Sequence, residues 1–577
     1  MKSELKFFRK ADLILVLTLI VIFFVLNKNI IDYGLPFFAQ EDENAFLKGT
    51  LSYISFITGI KRELSDPFLG PLMNLFLTLK LLFINEIILN LTSISDLKLK
   101  AYSDPSILII YGRYCSLIVT SFCLFILYLI LKKLKINFLV YFPLLISLSF
   151  SLFTISISLV NGKNSYYLLF FLSQLYFFIK YYNKIEKFNK NSYFILAFLG
   201  ALAWGINYWS SIVSIYGIII LHLKKFNFKN THYLIIFVLI FTLIGVIPGL
   251  FLEDNFFLKY LVKTYQTENF IKFFFNDFFK KFLSSFQIIL NTEVFVYIFL
   301  ILFVVSLASQ LKNKRLVIVF SFLILEPLMI FAISGEEAIP QIRYFSGSIC
   351  LIFILTALII QDFLKKISPK IIIVLFLIIN AGIILDKTQI YFKINKLVKE
   401  NHSFVDFYNK NNFINTKTLY LIPTLDTRKN FDNLNFYKAL HEKKIIENIL
   451  FEKDNYLSII KKIEKDRNSQ LKFKNSKTIN LHVFNINLFK INNLDNFFLQ
   501  AKENYEYVSI QENGYNDLDL YNYIRKNFQK IYVQSDIPNL NYNNGLRDII
   551  RYIYKGNDIK DLDNFILGNN YSLYKLN

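Results

Sequence analysis

SILIIYGRYCSLIVTSFCLFILYLILKKLK, residues 106–135, reads as one continuous apolar helix that stops at a burst of lysine. A run of more than ~20 apolar residues is long enough to cross the hydrocarbon core of a bilayer. Basic residues collect in the cytoplasmic loops of membrane proteins. Length predicts a transmembrane span, and the closing KKLK predicts which side its end faces. The same pattern recurs along the chain, with apolar runs beginning near residues 11, 138, 165, 232, 294, 315, 346 and 370.

Composition agrees with a membrane protein. Of the 577 residues, 54% are hydrophobic and 19% charged, and the mean hydropathy is +0.41. The 63 Phe and 36 Tyr suit lipid and headgroup contact. A formal net charge of +21 would suit nucleic acid if it formed a patch. It lies instead in short clusters between apolar runs, as in loops beside anionic lipid, so no nucleic-acid partner is expected. Cys115, Cys123 and Cys350 all fall inside apolar segments and read as small buried hydrophobes. The five histidines are scattered, without zinc-ligand spacing.

The first run, 11–26, follows Lys2, Lys6, Arg9 and Lys10 and lacks a small-residue cleavage site, so an uncleaved first span with a cytoplasmic N-terminus is expected. Two stretches are ambiguous by length. Residues 68–91 are interrupted by Asn74, Lys80, Asn85 and Glu86, and residues 192–223 are too long for one span and short for two. Loop charge decides both. The clusters at 132–135, 180–190, 224–229, 312–315 and 365–370 share a side only if 192–223 makes two passes, turning near Asn207, Tyr208 and Trp209, and if 68–91 does not cross. The expected fold is a polytopic α-helical membrane protein of about 11 transmembrane helices.

Residues 1–390 form the transmembrane module in this reading, and 391–577 a soluble extracytoplasmic domain. The latter turns rich in Asn, Lys and Asp, with strand-like runs at 417–424, 477–486, 505–510 and 530–535 and helix-like stretches such as 516–528 and 543–553. That alternation predicts a small α/β domain.

Three features carry chemistry. Glu41, Asp42 and Glu43 stand together just outside the first span. Crowded carboxylates raise one another's pKa, and a carboxylate here would serve as general base on a hydroxyl; a solvated acidic turn is the plainer alternative. Arg343 and Tyr344 sit at the outer edge of a late span, where a guanidinium suits bidentate phosphate binding or snorkels to headgroups. Phe270, Phe274, Phe278, Phe282 and Phe286 recur every four residues, with Lys272, Lys280 and Lys281 on other faces, which predicts an interfacial helix that guides a lipid-linked substrate or braces the fold.

Taken together these residues resemble the GT-C family of membrane glycosyltransferases, such as protein O-mannosyltransferases and aminoarabinose transferases of lipid A. DENAFLKG (42–49) looks like the family's acidic pair in the first outer loop. SDPFLGPL (65–72) is similar to its Pro-containing segment. Arg113 in YGRYCSLIV looks like the Arg that opens the second crossing, and Arg343-Tyr344 resembles the late Arg-Tyr pair. The matches span residues 1 to about 386, in family order.

The resemblance implies inverting transfer of a sugar from a polyprenyl-phosphate donor to a hydroxyl acceptor in an envelope glycan, lipid or protein, at the outer face of a bacterial inner membrane. By it, Asp42 is the base, Glu43 orients the acceptor or meets the donor, Arg343 and Tyr344 hold the donor phosphate, and Glu41 and Arg113 are accessory. The chain departs from the family in two places. The next outer turn, LVNGKNSYY, carries Asn161, Lys163 and Asn164 where many members have an acid, which puts a divalent metal in doubt; no other cofactor is implied. Asp66 stands where many members have His.

A transporter is the main alternative from another class and would show inverted repeats and broken helices; in the sequence, Glu326-Pro327 is the clear acidic break within a span. A glycan polymerase or ligase is a nearer rival, and a non-catalytic scaffold would leave Asp42 and Arg343 indifferent to mutation.

Overall fold

The computed structural model describes residues 2–31, 80, 106–206, 208–225, 231–246, 322–323, 346–364, single positions between 374 and 385, and, toward the C-terminus, 418–422, 483–485, 494–511, 518–533 and 571–576. The helical part comprises α1 (Lys2–Lys28), α2 (Ser106–Lys133), α3 (Phe138–Ser149), α4 (Leu152–Ser158), α5 (Asn164–Asn183), α6 (Lys190–Ile206), α7 (Ile212–Lys224), α8 (Thr231–Phe241) and α9 (Ser346–Leu364). The expected spans beginning near 294, 315 and 370, and the stretch 68–91 apart from Lys80, lie outside the described residues.

Within α2, Ile109–Lys133 is long and apolar enough to cross a membrane by length and composition, alone in this among the described residues. The surface of the bundle makes the same point by another route. Ile14, Val21 and Val25 on α1, Phe122 on α2, Phe194 on α6, Leu223 on α7 and Ile235 and Val238 on α8 are all exposed. So many large apolar side chains on neighbouring helices make a surface suited to lipid or to another apolar surface. Inside, α9 is buried on every face from Ile349 to Leu355, as befits a helix apolar all round. It packs on α3 and α5, while α2 packs on α1 and α5. Hydroxyls inside these helices fold back on their own backbone: Thr120 Oγ1 donates to the Ser116 carbonyl at 2.8 Å and Thr356 Oγ1 to that of Ile352 at 2.8 Å. Back-bonding of this kind satisfies a polar group where no water reaches.

Hydrogen bonds between helix ends sort the bundle into two poles. At the first, Lys132 Nζ meets Asp12 Oδ2 at 2.7 Å, Tyr141 Oη donates to the same oxygen at 3.3 Å, and Asn183 Nδ2 donates to the Lys133 carbonyl at 3.2 Å. Lys225 Nζ donates to the Phe188 carbonyl at 2.5 Å, and the Asn137 N–H donates to Gln361 Oε1 at 2.9 Å. The clusters 132–135, 180–190 and 224–225 therefore share one end, as loop charge predicts. At the opposite pole, Arg113 Nη1 donates to the Ile31 carbonyl at 2.8 Å and joins the end of α1 to the start of α2.

The chain turns at the first pole through a left-handed Lys135 (φ 60°). The Ile136 N–H reaches the Leu131 carbonyl and the Lys135 N–H that of Lys132, a Schellman motif with lysine where glycine is usual.

Two expected spans are modified. Residues 138–158 form two helices rather than one. α3 ends at Phe150, and Ser151 starts α4 by accepting from the Thr154 N–H at 3.1 Å. Residues 190–224 do go out and come back, but as a hairpin whose 3-10 turn, Tyr208–Ser211, packs against the middle of α5. There Gln174 Nε2 donates to the Ser210 carbonyl and Gln174 Oε1 accepts from the Ser214 N–H, both at 3.0 Å. With 13 residues, α7 is only about 20 Å long. Both hairpin ends return to the Asp12 pole, and the hairpin is shallower than two full spans.

The C-terminal residues form a five-stranded mixed sheet in the order β2-β1-β3-β5-β4. The strands are β1 (Thr418–Ile422), β2 (Val483–Asn485), β3 (Tyr507–Gln511), β4 (Gln529–Val533) and β5 (Tyr571–Lys575). β1 runs parallel to β2 and β3, and β5 lies antiparallel between β3 and β4. Helices α10 (Leu494–Asn504) and α11 (Leu518–Asn527) join through a stack of Phe498 on Tyr523 at 5.3 Å. The four expected strands and the helix at 516–528 are present; α10 and β5 go beyond the sequence reading, and 543–553 lies outside the described residues.

Candidate functional site

Glu41, Asp42, Glu43, Arg343 and Tyr344 lie outside the described residues, as does the Phe-rich stretch 270–286. What the structure describes is the frame on either side. α1 and its last turn lead as far as Ile31, ten residues ahead of Glu41 in the chain. α9 begins at a buried Ser346, two residues after Tyr344. Because Gln361 near the other end of α9 is bonded to Asn137 at the Asp12 pole, Ser346 opens α9 at the Arg113 pole.

Arg113 is the expected site residue that the structure describes. It stands two turns into α2 and is fully buried. A guanidinium there is stable only with hydrogen-bond partners, and the Ile31 carbonyl is one of them. Arg113 thus ties the two chain segments that flank residues 32–105, the stretch that contains the acidic triad.

A second cation was legible only as an interruption. Lys80 breaks the apolar run 68–91, and its ammonium donates to Asn161 Oδ1 at 2.8 Å, over 81 residues of chain. It also lies 5.8 Å from the centre of the Tyr166 ring. Asn161 belongs to the α4–α5 turn, which is itself buried: Leu159, Val160, Asn161 and Asn164 are all inside. The Asn161 amide lies flat against α2 at Gly112, where a Cβ would sit 2.3 Å from its Cγ. Glycine is needed at 112 for that approach.

Among the described residues, Asn27 Oδ1, Ser116 Oγ, Ser165 Oγ and Ser214 Oγ are buried without a hydrogen-bond partner. Asn27 is in the last turn of α1, Ser116 three residues beyond Arg113, and Ser165 opens α5, its carbonyl accepting from Cys123 Sγ at 3.7 Å. A buried polar atom left unpaired costs about 1–3 kcal/mol. Ordered water or a polar ligand would recover that cost. None of the three cysteines is in a disulfide; Cys123 and Cys350 are buried and Cys115 is half-buried.

In the α4–α5 turn the Asn161 amide oxygen is bonded to the Lys80 ammonium. Among the described residues no three His, Cys, Asp or Glu side chains converge.

No family model and no curated protein matches the chain in sequence. Solved structures share similarity of shape with the chain, among them the following two. One is the archaeal oligosaccharyltransferase AglB from Archaeoglobus fulgidus, in complex with an inhibitory peptide and a dolichol-phosphate, at 12% identity and a TM-score of 0.38, covering 92% of this chain and 74% of that one. The other is ArnT from Cupriavidus metallidurans bound to undecaprenyl phosphate, at 10% identity and a TM-score of 0.36, covering 91% of this chain and 96% of that one.

Proposed function

We propose that the protein is a membrane glycosyltransferase that moves a sugar from a polyprenyl-phosphate donor to a hydroxyl acceptor of the cell envelope. The Arg113 pole faces outward in this reading, and the basic Asp12 pole faces the cytoplasm. One observation carries the reading. The fully buried Arg113 fastens the end of α1 to the start of α2, so a cation sits at the pole from which the segment bearing Glu41, Asp42 and Glu43 leaves.

The chemistry follows from residue type. The Asp42 carboxylate takes the proton of the acceptor hydroxyl as its oxygen attacks the anomeric carbon. The bond from that carbon to the phosphate oxygen breaks, and the polyprenyl phosphate leaves with the electron pair. Arg343, with Tyr344, stabilises the charge that develops on the phosphate. Glu43 orients the acceptor, and Glu41 and Arg113 support the site. The phosphate leaves without a strong acid because a cation meets it. Residues 391–577 form the extracytoplasmic domain in this reading.

Transport is the second reading, favoured by the breaks at Phe150–Ser151 and Tyr208–Ser211, since transporters bind substrate at discontinuous helices. Both breaks, however, are closed by the chain's own side chains, Ser151 at one and Gln174 at the other. They are explained without a substrate.

The test is mass spectrometry of envelope glycans and lipids from cells with and without the gene. Loss of one sugar increment from a glycan, lipid or glycoprotein is the expected result. Identical profiles would remove the reading.

A further inference from the structure

The lysines of the Asp12 pole fall into two groups. Lys224 Nζ donates to the Tyr182 carbonyl at 3.1 Å, and Lys225 Nζ to those of Glu186 and Phe188 at 3.3 and 2.5 Å. These bonds hold the end of α7 against the turn between α5 and α6. The turn itself carries Lys184 and Lys187, and Lys190 opens α6; all three are exposed. Over residues 180–190 and 224–225 the chain places six lysines and one carboxylate, Glu186. Lys187 and Lys190 stand at the N-terminal end of α6, where the helix dipole is positive and disfavours a cation. Pinning Lys224 and Lys225 to the same turn adds two more positive charges. An anion that arrives from outside relieves such crowding. Exposed apolar side chains lead up to this group on two helices. On α6, Phe194 and Phe198 follow Lys190 at intervals of four, on one face, and their exposed rings stack at 6.3 Å. On α7, the exposed Ile219 and Leu223 lead directly to Lys224. A surface that is apolar along its length and cationic at its end matches acyl chains beneath an anionic headgroup.

We infer that an anionic phospholipid of the surrounding bilayer binds at the open end of the α6–α7 hairpin. Its headgroup phosphate meets Lys184, Lys187 and Lys190, and its chains lie along the exposed faces of α6 and α7. Lys224 and Lys225 act as positioning residues, since their bonds to backbone carbonyls hold the turn in place. This lipid belongs to the pole opposite Arg113 and takes no part in the proposed transfer. The inference needs only that the chain lies in a membrane, and it stands or falls independently of the sugar chemistry.

The experiment titrates the full-length protein in detergent with dioleoyl phosphatidylglycerol and, separately, dioleoyl phosphatidylcholine, and counts bound lipids by native mass spectrometry. Wild-type protein should prefer the anionic lipid about tenfold or more, and the preference should shrink as salt is raised. The double variant Lys184→Gln/Lys187→Gln should cut that preference at least about fivefold and leave phosphatidylcholine binding unchanged. Arginine at both positions should keep it. Lys502→Gln/Lys526→Gln removes the same charge from exposed positions in the C-terminal domain and should keep the preference too. Glycerol phosphate, which lacks the acyl chains, should not displace the bound lipid. A wild-type protein that does not distinguish the two lipids would overturn the inference. So would equal loss in the two glutamine variants, which marks net charge rather than a site. Equal loss of both lipids from Lys184→Gln/Lys187→Gln would overturn it as well, because that marks a structural role. Displacement by glycerol phosphate would overturn the lipid as occupant in favour of a soluble anion.

Discussion

The two poles of the bundle use polar residues in opposite ways. At the Asp12 pole three cations have partners near at hand: Lys132 has a carboxylate, and Lys224 and Lys225 have the carbonyls of Tyr182, Glu186 and Phe188. Lys224 also lies 3.5 Å from the centre of the Tyr182 ring. Most of these groups reach the surface. At the Arg113 pole Arg113 and Asn161 are buried, Lys80 is half-buried, and unpartnered oxygens lie among them. Cations that close helix ends need only their own chain. Arg113 lies buried close along the chain to oxygens without a hydrogen-bond partner, and in the proposed reading this pole is the working end of the molecule.

The comparison can be broken at either pole. The largest stability effect is expected from Arg113→Leu, which strands the Ile31 carbonyl and parts α1 from α2. A loss of about 3 kcal/mol is expected, read as a large drop in melting temperature in nanodiscs. A melting temperature close to wild type would mean that this link does not hold the outer pole together. Gln174→Leu comes next. It leaves the Ser210 carbonyl and the Ser214 N–H buried and unbonded, at about 2 kcal/mol. A smaller drop in the same assay would show that the hairpin turn finds other partners. Lys132→Met at the basic pole should cost less than about 1 kcal/mol, because a partly exposed ion pair is screened by solvent. A loss as large as that of Arg113→Leu would erase the contrast between the poles.

The smallest expected effect lies in the C-terminal sheet. Tyr523 Oη donates to Asp495 Oδ1, and this bond first, then burial, pushes the phenol up to about 12 from its ordinary 10.0. The folded pKa is raised, so the stabilisation is complete below pH 10 and is lost as pH rises from there toward 12. Asp495→Asn should move phenolate formation, followed by ultraviolet absorbance, back toward pH 10. An unchanged titration would place the cause elsewhere.

Much of the bundle is legible in the sequence because lipid imposes a simple rule, and the rest depends on contacts between distant residues. Counting lysine clusters was enough to double the chain back over 192–223, since Lys225 must reach Phe188. It could not show that Gln174 would shorten the hairpin, because a glutamine in an apolar run says nothing of its partner. Ser151 lies inside an apolar run, and its capping of α4 divides that run into two helices. Strand β5 was missed because YSLYK is short and polar, and becomes a strand only by pairing with Tyr507–Gln511. Arg113 was singled out through motif order as a proposed accessory residue. Lys80 stood in the sequence as an interruption, since its partner Asn161 lies 81 positions away.

The central claim is that the Arg113 pole carries out glycosyl transfer with Asp42 as base. It is tested most directly by restoring the gene as Asp42→Asn to cells that lack it and weighing their envelope glycans and lipids. The account predicts membrane protein at the wild-type level and a sugar increment still missing, in line with the 10²–10⁴-fold worth of a general base. Full return of the sugar with Asn at position 42 would contradict it.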